Sequence, residues 1–146
     1  MKRETRLFGT IDIDDDKIIH FEDGIIGFPF MKDFTLIKDE EDSESFIMWL
    51  QSMDEVQFAM PVVEPLRVLD SYNPTINDDL LTSIGITEAN TFCLVTITVP
   101  PEIEKLTVNL KAPIIINTDN NKACQIIVED DLEIKYPIYD LLRKED

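Results

Sequence analysis

Short runs in which apolar and polar residues alternate dominate the chain, and most of them end at a turn signal. Alternation with a period of two is typical of β-strands that bury one face. The pattern predicts strands within residues 5–13, 17–21, 34–42, 45–52, 56–65, 92–101, 107–117, 124–129 and 132–136. The strand within residues 34–42 is expected to be short and to lead into an acidic turn. Segments 45–52 and 56–65 are expected to form a hairpin, and so are 107–117 and 124–129, which are joined by a turn where Asn120 and Asn121 tolerate positive φ.

Helical signals are few. Residues 77–86 predict one helix, with Asn77 as its N-cap and Gly85 as its stop. Residues 101–106 predict a single helical turn, and residues 137–146 a short terminal helix. We therefore expect a mainly β fold, a small antiparallel β-barrel-like domain with one or two short helices, formed by residues 1–146 as a single domain.

Acidic residues far outnumber basic ones, with 30 Asp and Glu against 13 Lys and Arg and a net charge of −17 at pH 7. Such a surface repels phosphates, so we expect no direct nucleic-acid binding. It attracts basic partners at long range, although the charge is equally explained by solubility alone.

Cysteine usage and hydropathy indicate the compartment. The two cysteines, Cys93 and Cys124, lie far apart in apolar stretches and form no CxxC motif, so we expect them to be buried, reduced and inert. The N-terminal residues lack the apolar core of a signal peptide, and no apolar run approaches the roughly 20 residues of a membrane helix. We expect a cytoplasmic protein without membrane association.

The segment GTIDIDDDKIIHFEDG, residues 9–24, has Asp12, Asp14 and Asp16 at the spacing of a calcium loop. An EF-hand requires glycine at its sixth position and a glutamate at its twelfth, where this chain has Lys17 and Asp23. The flanking residues alternate like strands, whereas an EF-hand has helices there. We interpret the segment as a hairpin turn with solvated carboxylates, and we predict no metal site.

Catalytic motifs are lacking as well. The chain has one histidine, His20, and four glycines, and it contains no HExxH, GxSxG, Walker A or GxGxxG motif. Close carboxylates arise by chance in so acidic a chain and are no signal of acid–base catalysis. We predict that the protein is not an enzyme and binds no cofactor.

Several segments, spread along most of the chain, together resemble the FliW family of flagellar assembly factors. They are TRLFGTIDI, IIHFEDGIIGFPFMKDF, FIMWLQSMDEVQFAMPVVEP and CLVTITVPPEIEKLTVNLKAPIIIN, and the Asn-Leu-Lys-Ala-Pro core at residues 109–113 is the most specific of these matches. The resemblance implies a cytoplasmic protein that binds proteins and catalyses nothing. It implies two partners, flagellin and the dimeric RNA-binding regulator CsrA, whose release of flagellin mRNA couples flagellin translation to secretion.

The acidic charge suggests how CsrA would lose its RNA. A carboxylate surface docked beside the RNA path would repel phosphate noncompetitively, over a Debye length of about 8 Å. Candidates for this RNA-repelling surface are Asp12, Asp14, Asp15 and Asp16 in the opening run and Asp130 and Asp131 in a later turn. The alternative is that both runs are ordinary solvated turns.

Candidate partner-binding residues are Asn109, Lys111, Gln51, Phe28 and Phe30. Asn109 and Lys111 are expected on one face of a strand, where they could recognise a partner or make internal polar contacts. Gln51 shares the face of Trp49 and could form a polar rim beside an aromatic anchor. Phe28 and Phe30 lie in a predicted loop, where they are either exposed for an apolar partner or folded onto the core.

Three hypotheses therefore compete. The first is a FliW-like CsrA antagonist and flagellin-binding factor, monomeric when free. The second is an acidic flagellin chaperone or adaptor without effect on RNA regulation. The third is a calcium-dependent ligand-binding β module. The resemblance at residues 109–113 favours the first hypothesis over both of the others.

Overall fold

A computed structural model describes residues 2–6, 8–38, 47–75, 85 and 91–139. Within them lie eleven strands and three short 3-10 turns, at Asp15–Lys17, Pro65–Arg67 and Ile103–Lys105. The strands are β1 Lys2–Thr5, β2 Gly9–Asp12, β3 Ile18–Phe21, β4 Asp33–Lys38, β5 Met48–Ser52, β6 Ala59–Val63, β7 Thr91–Thr98, β8 Thr107–Val108, β9 Ile114–Asn117, β10 Lys122–Gln125 and β11 Tyr136–Pro137.

Seven of the strands close into a barrel. Neighbouring strands pair in the order β7-β6-β5-β4-β3-β10-β9, and β9 pairs again with β7 to complete the ring. Strands β8 and β11 extend the sheet from the far end of β7, while β1 and β2 form a separate hairpin. The prediction of a mainly β, barrel-like fold is confirmed.

One pair in the ring is parallel, which departs from the expected antiparallel barrel. Strand β10 runs parallel to β3, with Lys122 opposite His20 and Ala123 opposite Phe21. Asn121 turns the chain into this position with φ of +58°, as the predicted asparagine turn requires, and its backbone carbonyl accepts the His20 N–H at 2.8 Å. Asn120 does not adopt positive φ.

Two apolar clusters lie on opposite faces of the barrel wall, because side chains alternate along each strand. Leu94 of β7 belongs to the cluster inside the barrel, which is built around Phe21, Phe34 and Leu50. Its neighbour Val95 faces outward into a second cluster, which residues 65–72, 106–110 and 138 cover. The wall at β6 and β7 is therefore buried on both faces.

The ring has two ends, which the strand directions define. One end carries the connections at 13–17 and 118–121, before β3 and between β9 and β10. The opposite end carries the connections at 22–32 and 53–58 and the start of β9. Strands β3 and β4 have four and six residues, so about 13–20 Å separates the two ends at about 3.3 Å per residue.

Several predicted strands are wrong in extent. The strand expected at 124–129 is β10 at Lys122–Gln125, and of the strand expected at 132–136 only Tyr136 lies in one, β11. Two others are divided by turns. The run at residues 5–13 is broken after Thr5 by a turn, and Gly9 follows with φ of +64°. The run at 107–117 is also divided, with a turn at Leu110–Lys111 between β8 and β9. Alternation continues across both turns, so the pattern alone conceals them.

The single turn expected at residues 101–106 is present as the 3-10 turn Ile103–Lys105. The helix predicted over 77–86 lies outside the described residues except for Gly85, and most of the predicted terminal helix at 137–146 lies outside them too. No helix in the described part of the chain is long and apolar enough to cross a membrane.

Candidate protein-binding site

A tight turn after β3 presents three apolar side chains at one end of the barrel. Ile25 and Phe28 hydrogen-bond to each other across it, with the Phe28 N–H donating to the Ile25 carbonyl at 2.9 Å. Gly27 occupies the third turn position with φ of +89°, as in a type II turn. Ile26, Phe28 and Phe30, which we call the aromatic corner, are 47%, 38% and 69% exposed.

The aromatic rings of this corner contact further aromatic rings, and these contacts continue into the interior of the barrel. The Phe30 and Phe28 ring centroids are 6.3 Å apart, and Phe28 lies 4.8 Å from Phe58. Phe58 is 6.2 Å from Phe34, which packs edge-to-face on Phe21 at 5.4 Å in the interior. Edge-to-face contacts of this kind stabilise by about 0.5–1.5 kcal/mol beyond the area they bury. The exposed rings are thus held in place by the core.

Backbone geometry adds to this support. A Cβ at Gly24, where φ is +70°, would lie 2.6 Å from the backbone of Pro29. Only glycine fits so close an approach, so this packing of the turn requires glycine at residue 24. The expectation that Phe28 and Phe30 lie in a loop is confirmed, while their role with a partner stays a prediction.

The placement of Gln51 at an exposed rim is wrong. Its side chain is 1% exposed, and its Oε1 accepts the Arg6 N–H at 3.0 Å. Its Nε2 donates to the carbonyls of Ser52, Val56 and Phe58 at 2.9–3.2 Å. Gln51 therefore fixes the 53–58 loop, and with it Phe58 beneath the corner. Alternation predicts that Gln51 and Trp49 share one face of their strand. It does not predict which face of the strand the 53–58 loop covers.

A groove of about 330 Å³ adjoins the corner, between β6 and β7. These strands pair only at Val62–Thr96 and Val63–Val95. Pro61 comes next in the register and has no N–H to donate, so the ladder ends there. The lining includes Ala59, Met60, Pro61, Ile97, Ile26 and Asn109.

Gln125 joins the corner to the rest of this groove. Its Oε1 accepts the Ile26 N–H at 2.9 Å, and its Nε2 donates to the Ala112 carbonyl at 3.1 Å. One amide therefore holds together two segments that are distant in sequence. No local sequence pattern signals this contact.

Asn109 and Lys111 do not share a strand face, because the chain turns between them. The Asn109 Oδ1 accepts the Lys111 N–H at 3.0 Å, and the Lys111 Nζ donates to the Asp130 carbonyl at 2.8 Å. These contacts are the internal bonds that the sequence left as an alternative. Asn109 nevertheless lines the groove, whereas Lys111 does not line it and is bound to the Asp130 carbonyl.

The other end of the barrel is acidic. Exposed Asp12, Asp14 and Asp16, together with Asp119, border a groove of about 1040 Å³ with an apolar floor that includes Ile19 and Ile116. Two exposed cations, Lys17 and Lys38, line the same groove, so the carboxylates outnumber the cations by two. We call these four carboxylates the acidic end. The predicted hairpin turn is wrong in one respect, since β2 pairs with β1 and not with β3. Asp15 was also a candidate for this surface, but its side chain lies outside the part of the chain that the structure describes.

The second predicted acidic run lies elsewhere. The chain beyond Gln125 runs past the start of β9, where the Val128 N–H donates to the Lys111 carbonyl at 2.9 Å. The Asp130 carboxylate accepts the Thr75 N–H at 2.9 Å and its hydroxyl at 3.1 Å. These bonds, the backbone one above all, lower the pKa of Asp130. Asp130 and the exposed Asp131 therefore do not join the acidic end.

Histidine and cysteine are residue types often used in catalysis, and the chain has one histidine and two cysteines. His20 is exposed and pairs with Asp33 at 2.7 Å. Cys93 and Cys124 are free thiols, as expected, but they are half-buried, whereas the expectation was that they are buried. Burial raises the pKa of Cys93 to about 12 and also raises that of Cys124, so both are weak nucleophiles. Among the described residues, no three His, Cys, Asp or Glu side chains are grouped to hold a metal.

Comparisons with known proteins agree with this architecture. The family model described as FliW protein matches residues 2–138. The chain is 50% identical over 139 residues to the flagellar assembly factor FliW of Lachnoclostridium phytofermentans, covering 93% of this chain and 89% of that one. It is 44% identical to that of Lachnospira eligens, over 100% and 99% of the two chains. A crystal structure of the flagellar assembly factor FliW superposes with a TM-score of 0.86 at 29% identity, covering 94% and 96% of the two chains.

Proposed function

Because the chain belongs to the FliW family, we propose that it is a flagellar assembly factor that acts in the cytoplasm by binding proteins and catalyses no reaction. Its partners in this proposal are flagellin and CsrA. While flagellin is abundant the protein holds it, and once flagellin is exported the protein binds CsrA. CsrA then releases flagellin mRNA, which couples translation to secretion by an exchange of partners.

The observation that carries the proposal is the family match over residues 2–138, a span that includes all eleven strands. The elements that shape the aromatic corner, the groove and the acidic end all lie within that span. A net charge of −17 also suits a protein that must act on an RNA-bound regulator without binding RNA itself.

Displacement of RNA is proposed to be noncompetitive and aided by repulsion. Asp12, Asp14, Asp16 and Asp119 are concentrated at one end of the barrel, where they outnumber the cations Lys17 and Lys38. A phosphate backbone within about 8 Å of that end would therefore meet a net negative charge. The effect falls with salt, whereas displacement by packing or by a shape change in CsrA would not.

Calorimetric titration of the monomeric protein into CsrA already loaded with an RNA ligand tests this proposal. We expect saturable binding that expels RNA, and weaker expulsion at raised salt. The variant Asp12→Asn/Asp14→Asn/Asp16→Asn should bind CsrA with unchanged affinity but expel RNA several-fold less well. A matched control, Glu102→Gln/Glu104→Gln, changes two exposed carboxylates elsewhere and should behave like the unmodified chain.

Each result has a distinct meaning. Equal RNA release at both salts, or from the triple variant, would remove repulsion from the mechanism and leave packing or allostery. No binding to active CsrA, with flagellin still bound, would replace the antagonist with an acidic flagellin chaperone or adaptor. Binding of neither protein would refute the proposal.

A further inference from the structure

We infer that the aromatic corner and the groove between β6 and β7 form one docking surface, whose occupant is an apolar protein segment flanked by lysine or arginine. This inference deepens the proposed function and rests on it for the class of partner, a protein. It assigns the holding of the partner to one end of the barrel, leaving the acidic end free.

The surface is continuous because Ile26 belongs to both of its parts. Ile26 is exposed beside Phe28 on the turn, and its side chain also lines the groove together with Met60 and Ile97. Asn109 supplies a polar group at the groove, as expected of a site that orients what it binds. An apolar ridge next to a groove of 330 Å³ can accept one or two large side chains of a partner.

The surface is also rigid before anything binds. Phe28 is packed on Phe58, and the backbone at Ile26 is fixed by Gln125 at 2.9 Å. The turn also packs closely on itself, because Gly24 approaches the Pro29 backbone at a distance that only glycine allows. Exposed aromatic rings that are already ordered lose little entropy on binding, which is characteristic of binding hot spots.

Charge around the corner decides which apolar segment fits. Glu22 and Asp23 are exposed immediately before Gly24. Asp54 lies in the connection at 53–58, and its carboxylate accepts the N–H groups of Lys32 and Asp33 at 3.0 and 3.2 Å. The carboxylate therefore lies beside the end of the 22–32 connection, which carries the corner. Exposed Glu55 precedes Phe58 in the same loop.

Three exposed cations lie in this region, Arg6, Lys32 and Lys122, the last lining a small pocket together with Glu22. They face four exposed carboxylates, those of Glu22, Asp23, Asp54 and Glu55. The local balance is therefore negative. A cationic flank on the partner gains attraction and speed of association here, while an acidic flank is repelled.

A defined peptide tests the surface without reference to any natural partner. The probe is the synthetic peptide Gly-Lys-Leu-Leu-Phe-Lys-Gly, titrated into the full isotope-labelled chain and followed by NMR. We expect shifts at the amides of Gly24 and Gly27 and at the Gln125 side-chain amide, with none at Asn121 of the acidic end. A peptide with glutamate in place of lysine should bind at least fivefold more weakly.

Variants locate the apolar contact. Phe30→Ser and Ile26→Ser should each weaken peptide binding at least tenfold, with unchanged circular dichroism. Leu66→Ser is the matched control, because Leu66 is 61% exposed but follows β6 at the other end of the barrel. Shifts centred on Asn121, equal loss with Leu66→Ser, equal binding of the glutamate peptide, or no shift at millimolar peptide would each overturn the inference.

The same variants with flagellin and with CsrA separate this inference from the proposed function. If the unmodified chain binds either protein and Phe30→Ser binds it at least tenfold less well, the inference is supported. If Phe30→Ser binds each of the proteins that the unmodified chain binds equally well, the docking surface is refuted and the proposed function is left intact. If neither protein binds while the peptide maps to the corner, the proposed function fails and the docking surface stands.

Discussion

At the aromatic corner the exposed side chains pack on rings that reach the centre of the barrel, whereas the carboxylates of the acidic end lie at the last residue of β2 and on short connections at the surface. Phe30 is linked through Phe28 and Phe58 to the fully buried Phe34. Asp14 and Asp16, by contrast, are exposed in and beside a single 3-10 turn. The first surface depends on the packing of the core, and the second depends on little besides charge.

This difference means that the two ends are suited to different tasks, the aromatic corner to selecting a partner and the acidic end to repelling phosphate. A rigid apolar surface selects a partner by shape, while a group of solvated carboxylates acts on any phosphate within a Debye length. The two ends are about 13–20 Å apart by strand length, which exceeds the screening length of about 8 Å. A partner held at the corner therefore meets the field of Asp12, Asp14 and Asp16 only where it extends along the barrel.

The strongest test of this dependence is Phe34→Ala. Removing a fully buried ring leaves a cavity beneath Phe58 and beside Phe21, so we expect a loss of about 3–5 kcal/mol in the free energy of unfolding. Urea denaturation measures it. Phe30→Ala, the same change at a mostly exposed ring, should cost less than about 1 kcal/mol. Equal losses would contradict the view that the rings are anchored in the core.

Two glycines with similar φ angles, +64° at Gly9 and +70° at Gly24, give a sharper comparison. Gly9→Ala and Gly24→Ala both force alanine into the left-handed region, at a cost of about 1–2 kcal/mol. Gly24→Ala also places a Cβ 2.6 Å from the Pro29 backbone, whereas nothing lies within 4 Å at Gly9. We expect Gly24→Ala to lower the free energy of unfolding by at least about 1 kcal/mol more than Gly9→Ala. Similar values in chemical denaturation would show that the corner is free to shift.

The support from Gln51 is tested by Gln51→Met, which keeps the volume and removes the amide. The Arg6 N–H and the Val56 and Phe58 carbonyls lose a partner, so we expect a loss of about 1–3 kcal/mol in the free energy of unfolding. Gln57→Met, at an exposed residue of the same loop, should have almost no effect. Thermal and urea denaturation of both variants measure these changes. An unchanged free energy of unfolding in Gln51→Met would mean that Phe58 is held by packing alone.

The smallest effect is expected at the acidic end. The variant Asp12→Asn/Asp14→Asn/Asp16→Asn should change the free energy of unfolding by no more than about 0.5 kcal/mol, because all three side chains are exposed. The same urea measurement applies. A loss above about 2 kcal/mol would mean that these carboxylates have a structural role, and the contrast between the two ends would then disappear.

Sequence patterns predict the parts of this fold that depend on local chemistry. Alternation located β3, β4, β5, β6 and β7, and Asn121 marked its own turn. The parallel pairing of β10 with β3 could not be predicted, because it joins residues about 100 positions apart. The resemblance at residues 109–113 identified the family without revealing that Lys111 is bound to Asp130.

The candidate site was predictable in part for the same reason. Phe28 and Phe30 follow a glycine and flank a proline, which signals a loop. Ile26 had a usable signal that was missed, since it lies between Gly24 and Gly27 in a turn sequence. Burial of Gln51 and the Gln125 contact arise from tertiary packing, and alternation within one strand holds no information about either.

The parallel pair that closes the barrel has a consequence for biosynthesis. On the ribosome, β3 to β7 can assemble as consecutive antiparallel neighbours while the C-terminal part of the chain is still being made. The outer edge of β3 then stays open until Lys122–Gln125 has emerged, and open edges are sites of aggregation. Closing a loop of about 100 residues is entropically slow. Exposed His20 on that edge, with a charged turn before it, is the kind of polar protection that a nascent edge strand needs.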